Sequence, residues 1–243
     1  MVFSPQDIRS RKLDHHFQNY ISLEQQNSFG IEFKRTLCGV LIPQVEIAQR
    51  LGICAHTIAR DFKEQRISSV VAVNVIKGGR PFYTALTNEL YSIGVDIIED
   101  AIEVSRYGGK LQGESTKVKA GPTQIKKGDS VLVIDDLVDE GGTLELILDE
   151  LKAFEPSNVR VAVLLKKPNK FKGKPPIDYC LFDIDAHWVV GMGMDVCVKR
   201  GGELRSVYRH LPFVAVANPQ YLWDSGQLTD PAVVSALQKL IHY

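Results

Sequence analysis

Apolar residues along this chain switch repeatedly between continuous runs and helical spacing. The segments 36–42, 69–76, 95–104, 131–135 and 159–165 carry runs of Val, Ile, Leu and Ala, with 69–76 apolar enough for an interior strand. Between them the period changes. From Pro43 onward, Val45, Ile47, Ala48, Leu51, Ile58, Ala59 and Phe62 form one apolar stripe, and Pro43 suits an early helical position. Residues 81–91 resume helical spacing, and 142–154 place Leu144, Ile147, Leu148 and Leu151 on one face. Shorter strands are expected at 177–182 and 188–192. Asp230-Pro231 opens a final helix carrying Val234, Leu237, Leu240 and Ile241. Strands alternating with helices predict an α/β fold, a twisted and mainly parallel sheet flanked by helices. The Gly-, Ser- and Lys-rich stretch 105–121 is expected to be a long mobile loop.

Composition narrows the function classes. The chain has 243 residues, with 29 basic and 29 acidic side chains. That balance gives no global argument for nucleic acid or an anionic membrane as partner. One local basic cluster runs from 166 to 174. The first twelve residues lack an apolar leader core, and no apolar run approaches the length of a membrane span. Cys38, Cys54, Cys180 and Cys197 show no C-x-x-C spacing, so reduced thiols and a cytoplasmic location are expected.

The richest stretch is Val131-Leu132-Val133-Ile134-Asp135-Asp136-Leu137-Val138-Asp139-Glu140-Gly141-Gly142-Thr143. It predicts a buried strand delivering acids to its carboxyl end, a tight loop, and a helix. Free backbone N–H groups at such a helix start suit a phosphate. Paired acids beside a phosphate cradle suggest a sugar phosphate with Mg²⁺, which favours carboxylates shared with substrate oxygens. An Asp-Asp pair alone is equally a solvated strand end; Asp139 and Gly141-Gly142-Thr143 tip the balance toward a site. The run is not a Walker loop, since no Gly-Lys-Ser/Thr follows the strand, and it is not the Gly-x-Gly-x-x-Gly of dinucleotide binders.

This run resembles the phosphoribosyl-pyrophosphate (PRPP) motif of type I phosphoribosyltransferases, and the chain most resembles the hypoxanthine-guanine members. Further stretches stand in that family's order. Ile76-Lys77-Gly78-Gly79 is similar to the pyrophosphate loop, whose peptide before the Lys is often cis; here that is Ile76–Lys77. Ser105-Arg106-Tyr107-Gly108 resembles the Ser-Tyr of a loop that closes over the reacting centre, with Arg106 where a Ser is more usual. Lys167, in Leu164-Leu165-Lys166-Lys167-Pro168, stands where the family's Lys meets the purine O6. His187-Trp188-Val189-Val190-Gly191 leads to Asp195, and Tyr208-Arg209-His210-Leu211-Pro212 matches the bacterial members. The resemblance spans roughly 37–217. Residues 196–207 are extra relative to that family.

The resemblance implies a purine salvage transferase moving a phosphoribosyl group from PRPP to N9 of hypoxanthine or guanine. It implies Asp139 as general base and Tyr107 as the closing residue. PRPP would be held by Lys77, Gly78, Gly79, Asp135, Asp136, Asp139, Glu140, Gly141, Gly142, Thr143 and Arg209. Lys167, Trp188, Val189 and Asp195 would serve the base, and Asp135, Asp136 and Asp195 would hold Mg²⁺. Lys167 fits a 6-oxopurine because an ammonium donates and cannot accept. Glu140 departs from the family's Thr or Ser. A carboxylate 4 Å from a phosphate costs about 1 kcal/mol per charge pair in water, so Glu140 either points to solvent while its N–H binds, or weakens phosphate affinity.

The implied organisation is an N-terminal arm or hood contribution (1–35), a core with base-binding hood segments (36–217) and a C-terminal helical extension (218–243), in a homodimer or homotetramer. Two other readings stand beside it: a PRPP-sensing regulator of the same fold, and a transferase for another base such as xanthine.

Overall fold

The valine-rich runs at 69–76, 131–135 and 159–165 lie side by side as neighbouring strands. The computed structural model describes residues 31–107 and 115–241. In chain order its elements are β1 (Leu37–Ile42), α1 (Gln44–Glu64), β2 (Ser69–Ile76), α2 (Arg80–Ser92), β3 (Asp96–Tyr107), β4 (Ser115–Ala120), β5 (Ser130–Val138), α3 (Gly142–Leu151), β6 (Asn158–Lys166), β7 (Tyr179–Asp183), β8 (Val189–Val190), β9 (Val196–Arg200), β10 (Glu203–Val207), β11 (Val214–Ala217), α4 (Pro219–Asp224) and α5 (Pro231–Ile241). They form two units, one from Ala48–Asp183 and one from Met1–Ile47 with Ile184–Tyr243.

The larger unit is a six-stranded sheet of order β4-β3-β2-β5-β6-β7. Every neighbouring pair is parallel except β3 with β4. The central strands β2 and β5 are buried on both faces, which is why they read as unbroken apolar runs. Val71, Val73, Val75, Val131 and Val133 share one core cluster with Leu144, Ile147 and Leu151 of α3. Strand alternation turns Ala72, Leu132 and Ile134, all fully buried, to the opposite face. Helix α2 packs against β2, β3 and β5 and buries Phe82, Leu86 and Leu90. Helix α1 is tied to the far strands by Tyr179, whose hydroxyl donates to Asp61 at 3.1 Å, and by Arg160, which donates to Gln65 at 3.2 Å.

Within the stretch 105–121, expected as a long mobile loop, the described residues 105–107 and 115–120 belong to strands. Strand β3 continues through Tyr107, and β4 returns antiparallel with Val104 opposite Val118 and Tyr107 opposite Ser115. Exposed Lys117 and Lys119 flank a half-buried Val118, which suits an edge strand with one solvated face. That period outweighed the Gly, Ser and Lys content. Residues 108–114, between the two strands, lie outside the described residues, as do 1–30, where an arm was expected.

The smaller unit holds a three-stranded antiparallel sheet, β1-β11-β8, and a separate β9–β10 ribbon. Phe33, Val40, Val190, Tyr208, Phe213, Ala215 and Leu222 form its core. Phe33 meets Tyr208 edge to face with ring centroids 5.3 Å apart. Asn218 caps α4, its side chain accepting from the Gln220 N–H at 3.0 Å. The extra residues 196–207 are this ribbon, turned at Gly201-Gly202, both with positive φ. Among the described residues, no helix is long and apolar enough to cross a membrane.

Candidate active site

Strand order fixes where a ligand can enter the larger unit. From β2 the chain moves outward to β3, whereas β5 moves the opposite way to β6 and β7. The crevice between the carboxyl ends of β2 and β5 is thus a topological switch point, the usual ligand position in open α/β sheets. The residues following β2 are Lys77-Gly78-Gly79, and those following β5 are Asp139 to Thr143. Two loops singled out in the sequence therefore flank one crevice. The Ile76–Lys77 peptide is cis, as the resemblance implied.

Three glycines, Gly78, Gly79 and Gly141, are required by close approach. A Cβ on Gly78 would lie 2.2 Å from Asp136 Oδ2. One on Gly79 would lie 2.7 Å from the Val75 carbonyl oxygen and 2.9 Å from that of Ile134, both backbone atoms of interior strands. Gly141 has φ +99 and stands at the N-cap of α3; a Cβ there would meet the Lys174 carbonyl oxygen at 2.6 Å and the Phe171 ring at 3.0 Å. No side chain caps α3. Its first N–H groups are left for a ligand anion. Glu140 is solvent-exposed.

The acids differ in environment. Asp135 is buried, and burial pushes its carboxyl well above the usual carboxylate range, with the Asp136 charge adding to the rise. Asp135 Oδ1 accepts from the Asp136 N–H at 2.9 Å, and Asp136 Oδ1 from the Leu137 N–H at 3.0 Å. Asp139 lies one step further on. Lys167, at the end of the adjacent strand and 6% exposed, donates to Asp139 Oδ2 at 3.2 Å. The Lys167 N–H donates to the Val138 carbonyl at 3.1 Å, which holds the two strand ends in step. Burial pulls the Lys167 ammonium below the usual lysine range, opposed by the Asp139 charge. Lys170 adds a second cation 3.5 Å from Asp139.

The smaller unit supplies the remaining residues of the motif set. Trp188 donates its indole N–H to the Asp195 carbonyl at 3.4 Å and rests partly buried on the core. Val189 pairs with Val216 in the sheet. Asp195 Oδ1 pairs with Arg209 at 2.8 Å, and its Oδ2 accepts from the Ser206 hydroxyl.

Residues 44–197 match the phosphoribosyl transferase domain. The chain belongs to that family. It is 28% identical to the hypoxanthine phosphoribosyltransferase of Escherichia coli K12 and 26% identical to the hypoxanthine-guanine phosphoribosyltransferase of Dictyostelium discoideum. Each alignment covers 72% of this chain and 92% of the relative. A solved hypoxanthine-guanine phosphoribosyltransferase from Bacillus anthracis superposes with TM-score 0.62 at 28% identity, covering 73% of this chain and 96% of that one.

The resemblance implies Mg²⁺, and the chemistry of the residues here fits such an ion. Asp135 and Asp136 are hard oxygen donors on one strand end, and two carboxylates with substrate oxygens suffice for Mg²⁺. A bound cation would also offset the burial that lifts the Asp135 carboxyl. Without it that carboxylate is a cost to the fold. A folded-state value raised above the unfolded one means the native state holds the extra proton. Stability therefore falls as pH rises from the ordinary Asp value of about 3.9 toward the raised value. Asp135→Asn removes that penalty, and the metal-free variant is expected to melt higher than the parent at pH 7; an equal or lower melting temperature would refute the charge argument.

Sequence reasoning missed four residues that touch the named side chains and loops. Lys170 was treated as part of a solvated cluster, though its spacing of three from Lys167 put it within reach. Phe171 and the Lys174 carbonyl press on Gly141 through contacts that nothing in the local pattern announced. Ser206 sits in the extra ribbon.

Proposed function

We propose that this chain is a purine salvage phosphoribosyltransferase that joins hypoxanthine or guanine to PRPP, giving IMP or GMP and pyrophosphate. The observation that carries the reading is the Lys167–Asp139 pair, 3.2 Å apart at adjacent strand ends and directly beside the phosphate loop. An ammonium donor next to a carboxylate acceptor matches the O6 and N7–H edge of a 6-oxopurine tautomer. A 6-amino group would face a donor with another donor.

Asp139 takes the N7 proton, which leaves N9 a better nucleophile toward C1′ of PRPP. The N9–C1′ bond forms as the bond from C1′ to the pyrophosphate oxygen breaks, through a centre of oxocarbenium character. The N–H groups of Asp139 to Thr143, with the Thr143 hydroxyl, hold the 5′-phosphate. Asp135 and Asp136 hold the ribose hydroxyls and the magnesium, which when bound neutralises charge on the departing pyrophosphate. Lys77, Gly78, Gly79 and Arg209 bind that leaving group, Trp188 stacks on the base beside Val189, and Tyr107 closes over the centre. The four free thiols, Cys38, Cys54, Cys180 and Cys197, suit a reducing cytoplasm. The assembly is a homodimer or homotetramer.

The test is a pyrophosphate-release assay with PRPP, Mg²⁺ and a panel of bases. Hypoxanthine and guanine are expected to be used, and adenine is not. Lys167→Ala is expected to cut kcat/KM for hypoxanthine by about 10²-fold or more, the scale on which a site rejects a mismatched polar partner, while PRPP binding is kept. A parent enzyme that prefers adenine would end this specificity argument, and binding of PRPP without turnover of any base would favour the sensing-regulator reading.

A further inference from the structure

The ribbon of β9 and β10, extra relative to the family pattern, meets the implied pyrophosphate-binding arginine through one side chain. Arg209 donates from Nη1 to the Gly193 carbonyl at 2.5 Å, from Nη2 to Asp195 at 2.8 Å, and from Nε to the Ser206 hydroxyl at 3.3 Å. Ser206 in turn donates to the other Asp195 oxygen. Three of the five guanidinium donors are thereby committed, and two remain for a ligand. Ser206 lies opposite Cys197 in the ribbon. Cys197 is clamped from the C-terminal segment: its N–H donates to Gln227 Oε1 and its carbonyl accepts from Gln227 Nε2, each at 2.8 Å. The Gln227 amide also donates to Ser225 at 2.6 Å. A chain of contacts thus runs from Gln227 through the ribbon to Arg209, using residues outside the family match at 44–197 apart from Asp195 and Cys197.

We infer that Ser206 is a positioning residue, which with Gln227 behind it fixes the Asp195–Arg209 pair so that the two free guanidinium donors are pre-set for the diphosphate of PRPP. The inference rests on the proposed function. Arg209 has long rotamer freedom, and an exposed ion pair alone holds it weakly. A hydroxyl bridging both partners closes a ring of three contacts and removes that freedom before the ligand arrives, which lowers the cost of binding. The same ring engages both Asp195 oxygens, an arrangement that favours holding Arg209 over the metal-ligand role the resemblance implied for Asp195.

The test compares Ser206→Ala, Ser206→Thr and Gln227→Ala in the full chain. Ser206→Ala is expected to raise KM for PRPP about three- to tenfold with kcat and KM for hypoxanthine within about twofold. Ser206→Thr restores the parent value, since it keeps the hydroxyl and suits a strand, and Gln227→Ala falls between. A second readout needs no activity: the Arg209 Nε–H resonance is expected to exchange slowly in the parent and the Thr variant and to be lost in the Ala variant. An unchanged KM for PRPP with an unchanged Arg209 signal in Ser206→Ala overturns the inference. So does a parallel fall in all kinetic constants and melting temperature that Thr fails to restore, which would mark a merely structural ribbon. A parent protein that neither turns over nor binds PRPP overturns the functional reading instead, and the Arg209 signal then still reports whether Ser206 holds that side chain.

Discussion

Asp139→Asn is expected to lower kcat with hypoxanthine by about 10²–10⁴-fold while PRPP affinity changes by about twofold or less, the span of a lost general base. The substitution preserves shape, and an amide oxygen can still accept from Lys167 across the 3.2 Å that separates the pair. What disappears is a group able to take the N7 proton. The backbone N–H groups and the Thr143 hydroxyl proposed to hold the 5′-phosphate are untouched. Steady-state kinetics with calorimetric binding of PRPP separate the two effects, and a variant with parental kcat would mean that another group removes the proton.

The second large effect is expected from a single methyl group. Gly78→Ala should reduce kcat/KM for PRPP by about 10²-fold, the cost of misplacing a reacting group by about 1 Å. A Cβ at position 78 would sit 2.2 Å from Asp136 Oδ2, so the carboxylate must swing away from the crevice. Because the obstruction is the end of a side chain, the fold should survive with little change in melting temperature. Gly79→Ala provides the contrast. Its Cβ meets the Val75 and Ile134 carbonyls, which are backbone and cannot yield, so that variant should lose about 1–3 kcal/mol of stability. Thermal melts with PRPP kinetics on both variants check the pair. A Gly78→Ala enzyme with parental kcat/KM would show that Asp136 has no role at the reacting centre.

The periodic pattern determined the larger unit's elements because parallel strands covered on both faces must be apolar throughout, and their crossover helices must carry one apolar stripe. Strands at 69–76, 131–135 and 159–165 and the helices at 142–154 and in the final segment are therefore local readings, correct to within a few residues. Glycines at 78, 79 and 141 leave a residue-level trace because close approach of neighbouring atoms excludes a Cβ there, and the acids at 135, 136 and 139 are visible in the sequence itself. The hairpin at 103–120 was misread because composition was weighed above alternation. Only the tertiary structure decided strand order, and with it that the loops after β2 and β5 flank one crevice, since register between strands distant in sequence is set by packing. It also decided which charges pair. Lys167 with Asp139, and Arg209 with Asp195 and Ser206, meet across chain separations of 28, 14 and 3 residues, and no local pattern encodes which cation of a basic cluster turns inward. Burial of Asp135 is of the same kind: the sequence supplies the carboxyl, whereas the sheet around it supplies the low-dielectric surroundings that shift its proton equilibrium.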